Sequence, residues 1–328
     1  MLMKAIVYNE YGSPDVLRCE DIPKPAPKDN EVLIKVHTAA LNPLDWRLLN
    51  GKPRVIRLIA RLLKLKMGRP GVDVAGEVEA VGPKVNAFKP GDKVFGGCRG
   101  AFAEYACTPE TGVAPIPDNV TFEQAASVNV AALTALQGLR DKAKFQPGQK
   151  VLINGAAGGV GTFAVQIAKI FGAEVTGVCS TRNVEMVKSI GADAVVDYTK
   201  EDFTKLAARY DVIFECVGNK SLSDCRRVLN PKGRHIIVGA PHDPSVMKLI
   251  TPLIQALLVS PLMSRKVIPL MAKANKEDLS FIGELIATGK LTPVIDRCYS
   301  LNEGADAFRY VEQWHARGKV LIRAVVSE

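Results

Sequence analysis

The stretch Asn154-Gly155-Ala156-Ala157-Gly158-Gly159-Val160-Gly161 lies between a run that reads as a strand, Lys150–Asn154, and one that reads as a helix, Gly161–Phe171. Small residues at such a turn let a pyrophosphate approach the backbone, and the following helix N-terminus offers it free N–H groups and a positive dipole end. Ala156 stands where the first glycine of a GxGxxG fingerprint stands, so the turn is a variant of that pattern. A tight strand–helix turn without a ligand is the alternative, but the flanking sequence completes a mononucleotide-binding unit. Further strands are expected at Glu174–Cys179, Ala194–Val196, Val212–Glu215, Arg234–Val238 and Lys266–Leu270, most of them separated by helix-like stretches. Six strands alternating with helices imply an α/β fold built on a Rossmann-type doubly wound parallel sheet.

The residues before this unit have another texture. Short β-branched runs punctuated by Gly and Pro (Lys4–Tyr8, Glu31–Thr38, Val72–Val81, Lys93–Phe95 and Phe102–Cys107) predict an irregular β-barrel. A helix over Gln124–Lys144 opens the alternating region. Beyond it, helices at Lys276–Thr288 and Leu301–His315 and a strand at Lys319–Val325 are expected to rejoin the first domain. The division is therefore 1–123, 124–271 and a returning segment 272–328.

Bulk properties set limits on function. The seven cysteines (19, 98, 107, 179, 216, 225 and 298) form no CxxC, and no secretory pattern precedes the first strand, which predicts a reduced, cytoplasmic protein. The longest uncharged apolar run, Leu249–Met263, is fifteen residues and contains Pro252 and Pro261, too short to span a bilayer. The formal charge of +9 suits an anionic ligand or membrane surface. Nucleic acid is not expected as a partner, because no binding module accompanies the charge. Arg54–Arg69 is basic and amphipathic at helical spacing, with Arg54, Arg57, Arg61 and Lys64 on one stripe. It could make a peripheral contact with an anionic membrane, lid a cleft or pack on its own domain. The run Leu249–Met263 could line an apolar substrate cleft or a dimer contact.

The second strand of the alternating region ends in Val178-Cys179-Ser180-Thr181-Arg182-Asn183. Enzymes that use NAD place an acid near this point for the ribose 2′-hydroxyl, and none follows the strand here. Ser180 can donate a hydrogen bond and Arg182 can meet a 2′-phosphate with a charge-assisted pair, which favours NADPH. A surface arginine with no ligand is the alternative.

These residues resemble the zinc-free quinone oxidoreductase branch of the medium-chain dehydrogenase/reductase superfamily. Besides the glycine cluster, the resemblance rests on Ala39-Leu41-Asn42-Pro43-Asp45, Gly71-Asp73-Ala75-Gly76-Glu77, Pro90-Gly91-Asp92-Val94, Leu133-Thr134-Ala135, Gly191-Ala192-Asp193 and Arg317-Gly318-Lys319. It covers essentially the whole chain. It implies a GroES-like β-barrel catalytic domain joined to the Rossmann domain, an active site in the cleft between them, and a homodimer. By position it places Thr134 near the nicotinamide, Gly158, Gly159, Val160 and Gly161 under the pyrophosphate, and Ser180, Arg182 and Tyr198 near the adenosine phosphate. Val217, Val238 and Gly239 are to face the cofactor, and His315, Ala316 and Arg317 to close over it. Simple packing is an equal alternative for Tyr198 and His315.

The resemblance also shows departures. Zinc-bearing relatives carry a cysteine where this chain has Asn42 and a histidine where it has Asp73, and the lobe for a second zinc is missing between Gly91–Phe95 and Ala101–Tyr105. No metal is expected. Many relatives have a tyrosine where this chain has Trp46, whose indole offers no exchangeable acid. The expected activity is metal-independent transfer of hydride from NADPH to a quinone or α,β-unsaturated carbonyl, with Asn42 steadying enolate charge, Thr134 orienting the nicotinamide and protonation from solvent. Asn42 as a turn cap before Pro43 remains open. So do a zinc-free alcohol dehydrogenase, an enoyl-thioester reductase, and a membrane- or partner-binding protein with a vestigial nucleotide pocket.

Overall fold

A computed structural model describes residues 1–52, 57, 62, 68–239 and 264–324. The run 249–263 lies outside these residues, as does most of 54–69. Within the latter, Arg57 donates to the Gly51 carbonyl at 3.0 Å and lies over the Tyr11 ring.

The chain divides into two compact units, Met1–Leu133 with Lys273–Glu328, and Thr134–Ala272. In the first, β1 (Leu2–Val7) and β2 (Arg18–Pro23) form a hairpin-like pair. The larger sheet takes β3 (Glu31–Leu41), β4 (Asp73–Val81), β5 (Lys93–Gly97), β6 (Tyr105–Pro109) and β7 (Val113–Pro115). Two late strands join it, β14 (Ile295–Ser300) and β15 (Lys319–Arg323), in the order β14-β15-β3-β4-β5-β7, with β6 also on β3. Its apolar core gathers Ile34, Val36, Val74, Val94, Phe102, Phe308 and Ile322, which removes the inward faces of several strands from water. Helix α1 (Pro43–Asn50) follows β3 directly, with Pro43 preset for the first helical turn. It ends at Gly51, whose φ of 61° is the left-handed conformation that glycine adopts without strain.

The second unit is a six-stranded parallel sheet of β8 (Lys150–Asn154), β9 (Glu174–Cys179), β10 (Ala194–Asp197), β11 (Tyr210–Glu215), β12 (Leu229–Ile237) and β13 (Lys266–Pro269). The order β10-β9-β8-β11-β12-β13 is the 3-2-1-4-5-6 arrangement of doubly wound dinucleotide folds. Strand β8 is exposed only at Lys150, as a strand covered on both faces must be.

The single helix expected over Gln124–Lys144 is broken. Helix α2 (Phe122–Ala126) and α3 (Asn129–Gln137) are separate, and a π-helical turn occupies Gly138–Lys142. Two side chains cause the first break. The Ser127 hydroxyl bonds back to the Gln124 carbonyl at 2.6 Å, and the Asp73 carboxylate takes the Val130 N–H at 3.0 Å, as an acid does at a helix N-terminus. Residues 124–133 therefore belong with the first unit, where α2 packs on β3, β4 and β5. The expected helix Leu301–His315 is likewise a 3-10 turn followed by a shorter helix, Gly304–Glu312.

Candidate functional site

In the second unit the predicted nucleotide residues converge along the carboxyl ends of the strands. After β8 the chain turns at Gly155 (φ 86°) and enters α4 (Gly159–Ile170) with Gly158 as N-cap. The first N–H groups of this helix, at Gly159, Val160 and Gly161, have no acceptor within it, which is the geometry an anion needs. A side chain at Gly161 would bring its Cβ within 2.1 Å of the Gly155 carbonyl oxygen. The backbone therefore packs back on itself here, and the turn fits a pyrophosphate cradle. Glu215, at the end of β11, secures the turn: both its carboxylate oxygens accept from the Asn154 side-chain nitrogen at 2.8–2.9 Å, and the carboxylate takes the N–H groups of Val217 (2.8 Å) and Gly218 (2.7 Å). A Cβ on Gly155 would lie 2.8 Å from the Val217 side chain, and the Val238 and Gly239 N–H groups both bond to the Glu215 carbonyl. Val217, Val238 and Gly239 are thus held beside the glycine turn.

Ser180 follows β9 and accepts from the Asn183 amide at 3.2 Å, which leaves its own hydrogen to donate. Arg182 and Tyr198 are exposed at the neighbouring ends of β9 and β10, where the Tyr198 N–H bonds to the Cys179 carbonyl. Sequence reasoning overlooked one group here. Asp197, the last residue of β10, accepts hydrogen bonds from the Thr181 and Thr199 hydroxyls, and the Lys200 ammonium lies 3.7 Å away. An acid therefore lies beside the Ser180–Arg182 loop, supplied by the adjacent strand rather than by the loop itself.

A second unforeseen group, Glu215, Cys225 and His235, brings one ligand-type atom from each residue within 4.8 Å of the others. The Glu215 carboxylate is already occupied by the donors above, and burial holds the His235 imidazole neutral, with its pKa lowered to about 4. We read this group as polar core packing.

The first unit contains a buried polar cluster. Asn42 is 2% exposed, and its side-chain nitrogen donates to Asp73 Oδ2 (3.0 Å) and the Ala40 carbonyl (3.3 Å). Its side-chain oxygen accepts from Lys319 Nζ at 2.7 Å. Both amide hydrogens are thereby directed at protein acceptors, so none is left for a substrate oxygen. The backbone N–H of Asn42 bonds to Asp45 Oδ2 at 2.9 Å, and the Gly71 N–H to Asp45 Oδ1 at 3.1 Å. Burial pushes the Asp45 carboxyl up to about 7, against the pull of the Asn42 N–H. Asp73 also takes the Asn129 amide at 3.1 Å and the Val130 N–H, so four donors surround it. Asn129 opens α3, the helix that carries the buried Thr134 five positions on.

Trp46 is buried in the sheet core, edge-on to Trp314 with 6.2 Å between ring centroids. Trp314 precedes His315, Ala316 and Arg317, which form a tight return into β15. There the Arg317 N–H bonds to Asp296 at 2.9 Å, and a Cβ on Gly318 would meet the Val294 carbonyl oxygen. His315 and Arg317 are exposed.

Two family models match the chain, the alcohol dehydrogenase GroES-like domain over residues 28–118 and zinc-binding dehydrogenase over 190–322. A 2-methylene-furan-3-one reductase of Solanum lycopersicum is 35% identical over 98% of this chain and 79% of its own length. An NADPH-dependent alkenal/one oxidoreductase, chloroplastic, of Arabidopsis thaliana is 34% identical over the same shares of the two chains. A solved quinone oxidoreductase from Coxiella burnetii superposes with a TM-score of 0.88 at 33% identity, covering 98% of this chain and 99% of that one. The chain belongs to the quinone oxidoreductase branch of the medium-chain dehydrogenase/reductase superfamily. It is an oxidoreductase with a GroES-like domain and a Rossmann-type domain that takes a nicotinamide cofactor.

The name of one matching family model mentions zinc, and the residues of this member do not fit it. Where zinc-bearing members of the superfamily have a thiolate and an imidazole, this quinone oxidoreductase relative has an amide and a carboxylate. Both are already engaged by the Lys319 ammonium, 3.1 Å from Asp73. A divalent cation would have to displace a buried positive charge.

Proposed function

We propose that the protein is an NADPH-dependent, metal-independent reductase of α,β-unsaturated carbonyls and quinones. The observation that carries this reading is the anion cradle at Gly155–Gly161, together with Ser180 and Arg182 one strand further along the same sheet edge. When bound, NADPH supplies a hydride.

The chain's own residues bind and orient. The N–H groups of Gly159, Val160 and Gly161, beyond the N-cap Gly158, hold the pyrophosphate, and Val217, Val238 and Gly239 line the backbone beside it. Arg182, with Ser180 and Tyr198, meets the 2′-phosphate. Thr134 orients the nicotinamide, and His315, Ala316 and Arg317 cover the cofactor. Asn42 is a positioning residue rather than a donor to the developing enolate, because both its amide hydrogens are directed elsewhere. Rate enhancement comes chiefly from orientation, and the proton that completes reduction comes from solvent. Trp46, buried and without an acidic hydroxyl, counts against an enoyl-thioester reductase that needs a tyrosine at that place. A homodimer accompanies this reading through the family resemblance alone.

The deciding experiment is steady-state NADPH oxidation with a panel of enones, quinones, aldehydes and enoyl thioesters. Turnover of enones or quinones well above the other classes is the expected outcome. A marked preference for thioesters or aldehydes would overturn the substrate assignment. Tight NADPH binding with no turnover on any class would point to a binding protein instead.

A further inference from the structure

The Lys319 side chain is 2% exposed and that of Asp73 fully buried. Their ion pair joins segments far apart in the chain: the residue after β3 (Asn42), the first residue of β4 (Asp73) and the first residue of β15 (Lys319). Through Asp73 it also reaches the start of α3. Buried ion pairs are a poor means of gaining stability, since an apolar pair of similar volume often does as well or better. The polar groups here nevertheless form a dense set in which each of the four donors to Asp73 lies on or directly next to a segment that bears a candidate site residue. Asn42 is itself one; α3 carries Thr134; and β15 continues from the His315–Arg317 return.

We propose that Lys319 is the positioning cation of the catalytic half. Its ammonium, in the place where zinc-bearing relatives gather their ligands around a metal, fixes the Asn42 amide in one orientation. Through Asp73 it sets α3 and the return into β15. The inference rests on the reading of Asn42, Thr134 and His315–Arg317 as site residues. Lys319 touches neither substrate nor cofactor in this account, so its effect is on placement. A misplacement of about 1 Å is enough to cost on the order of a hundredfold in rate.

The test compares wild type, Lys319→Met and the double variant Asp73→Asn/Lys319→Met as full chains. NADPH oxidation is followed with but-3-en-2-one and 1,4-benzoquinone, alongside thermal midpoints. Lys319→Met leaves a buried carboxylate unpaired and is expected to lower both the midpoint and kcat. The double variant, with neither charge, is expected to recover the midpoint while kcat stays about tenfold or more below wild type. Recovery of kcat together with the midpoint would show the pair to be structural only and overturn the proposal. So would a double variant that fails to fold, or wild-type kcat in Lys319→Met. A second readout is independent of substrate: tryptic cleavage after Arg317 is expected to be faster in both variants than in wild type, and an unchanged rate overturns the claim. A wild type inactive on every acceptor would instead sink the reductase reading and leave the proteolysis result to judge Lys319.

Discussion

Thr181 gives its hydroxyl hydrogen to Asp197 at 2.6 Å, linking the loop after β9 to the end of β10. Thr199 does the same at 2.7 Å, and these hydroxyls, led by Thr181, hold the Asp197 carboxyl down at about 2. With their hydrogens committed to this acid, Thr181 and Thr199 can offer a phosphate only lone pairs. On the proposed NADPH reading, recognition of a 2′-phosphate at this corner would fall to Arg182, the Ser180 hydroxyl and the nearby Lys200.

Arg182→Ala is therefore expected to weaken NADPH binding by about ten- to a hundredfold, the value of one or two hydrogen bonds to a charged group, while NADH binding stays nearly constant. Ser180→Asp should shift preference toward NADH by repelling the phosphate from beside Asp197. Dissociation constants for both cofactors, at one ionic strength because screening alters such contacts, decide the matter. Equal loss of both cofactors in Arg182→Ala would put the phosphate elsewhere.

Gly161→Ala supplies the contrasting case. The added methyl would stand 2.1 Å from the Gly155 carbonyl oxygen and 2.8 Å from Ala156 Cα, both backbone atoms. The turn must deform, at a cost of about 1–3 kcal/mol. NADPH and NADH should weaken together by at least about tenfold, because the pyrophosphate is common to both. A variant that binds either cofactor as wild type does would remove the cradle from the site.

Asp45 gives a pH dependence of definite sign. Burial raises its carboxyl from the ordinary 3.8 to about 7 in the fold, so over that interval the folded chain holds a proton that the unfolded chain has released. Its contribution is complete below about pH 4 and is lost as pH rises through about 7. Asp45→Asn, which cannot ionise, should gain on wild type in thermal midpoint as pH is raised from 5 to 8, by the equivalent of a few kcal/mol. Parallel curves for the two proteins would show that Asp45 is ionised throughout.

Activity should survive prolonged treatment with a chelator, and elemental analysis should find zinc well below stoichiometric. The basis is the donor set at Asn42 and Asp73, which is closed by the Lys319 ammonium. Loss of activity in chelator, reversed by added zinc, would contradict this.

What could be read from the sequence follows how local the controlling interactions are. The parallel strands and the glycine turn were legible because β8 carries the apolar run Val151-Leu152-Ile153, β9 is rich in β-prone residues, and the turn lies within eight residues of chain. The break between α2 and α3 was not, since one of its two causes is the carboxylate of Asp73, 57 positions from Val130. Strand β2 carries Arg18, Cys19, Glu20 and Asp21, mostly exposed, and so offers no alternation to detect. Lys319 could have been flagged by a single signal, a lysine opening the apolar run Val320-Leu321-Ile322, since a charge that enters a buried strand needs an opposite charge. Which acid would meet it could not be read from spacing.

The place of β15 in the sheet bears on how the chain is made. Its neighbours are β14 and β3, so the ladder along Thr38–Leu41 lacks this partner until residues 320–323 have been synthesised. The strands of the nucleotide unit, in contrast, all lie within 134–272. A ribosome adding about 5–20 residues per second needs roughly 10–40 s to go from the end of the first segment to β15. For that time, most of which goes to making the Rossmann unit, the nascent catalytic half presents an open β-edge along Thr38–Leu41. Such an edge is a template for mispairing. Crowded translation at elevated temperature should therefore damage this half first, and a holdase that masks the edge of β3 should raise the yield of active enzyme more than one acting on the finished protein.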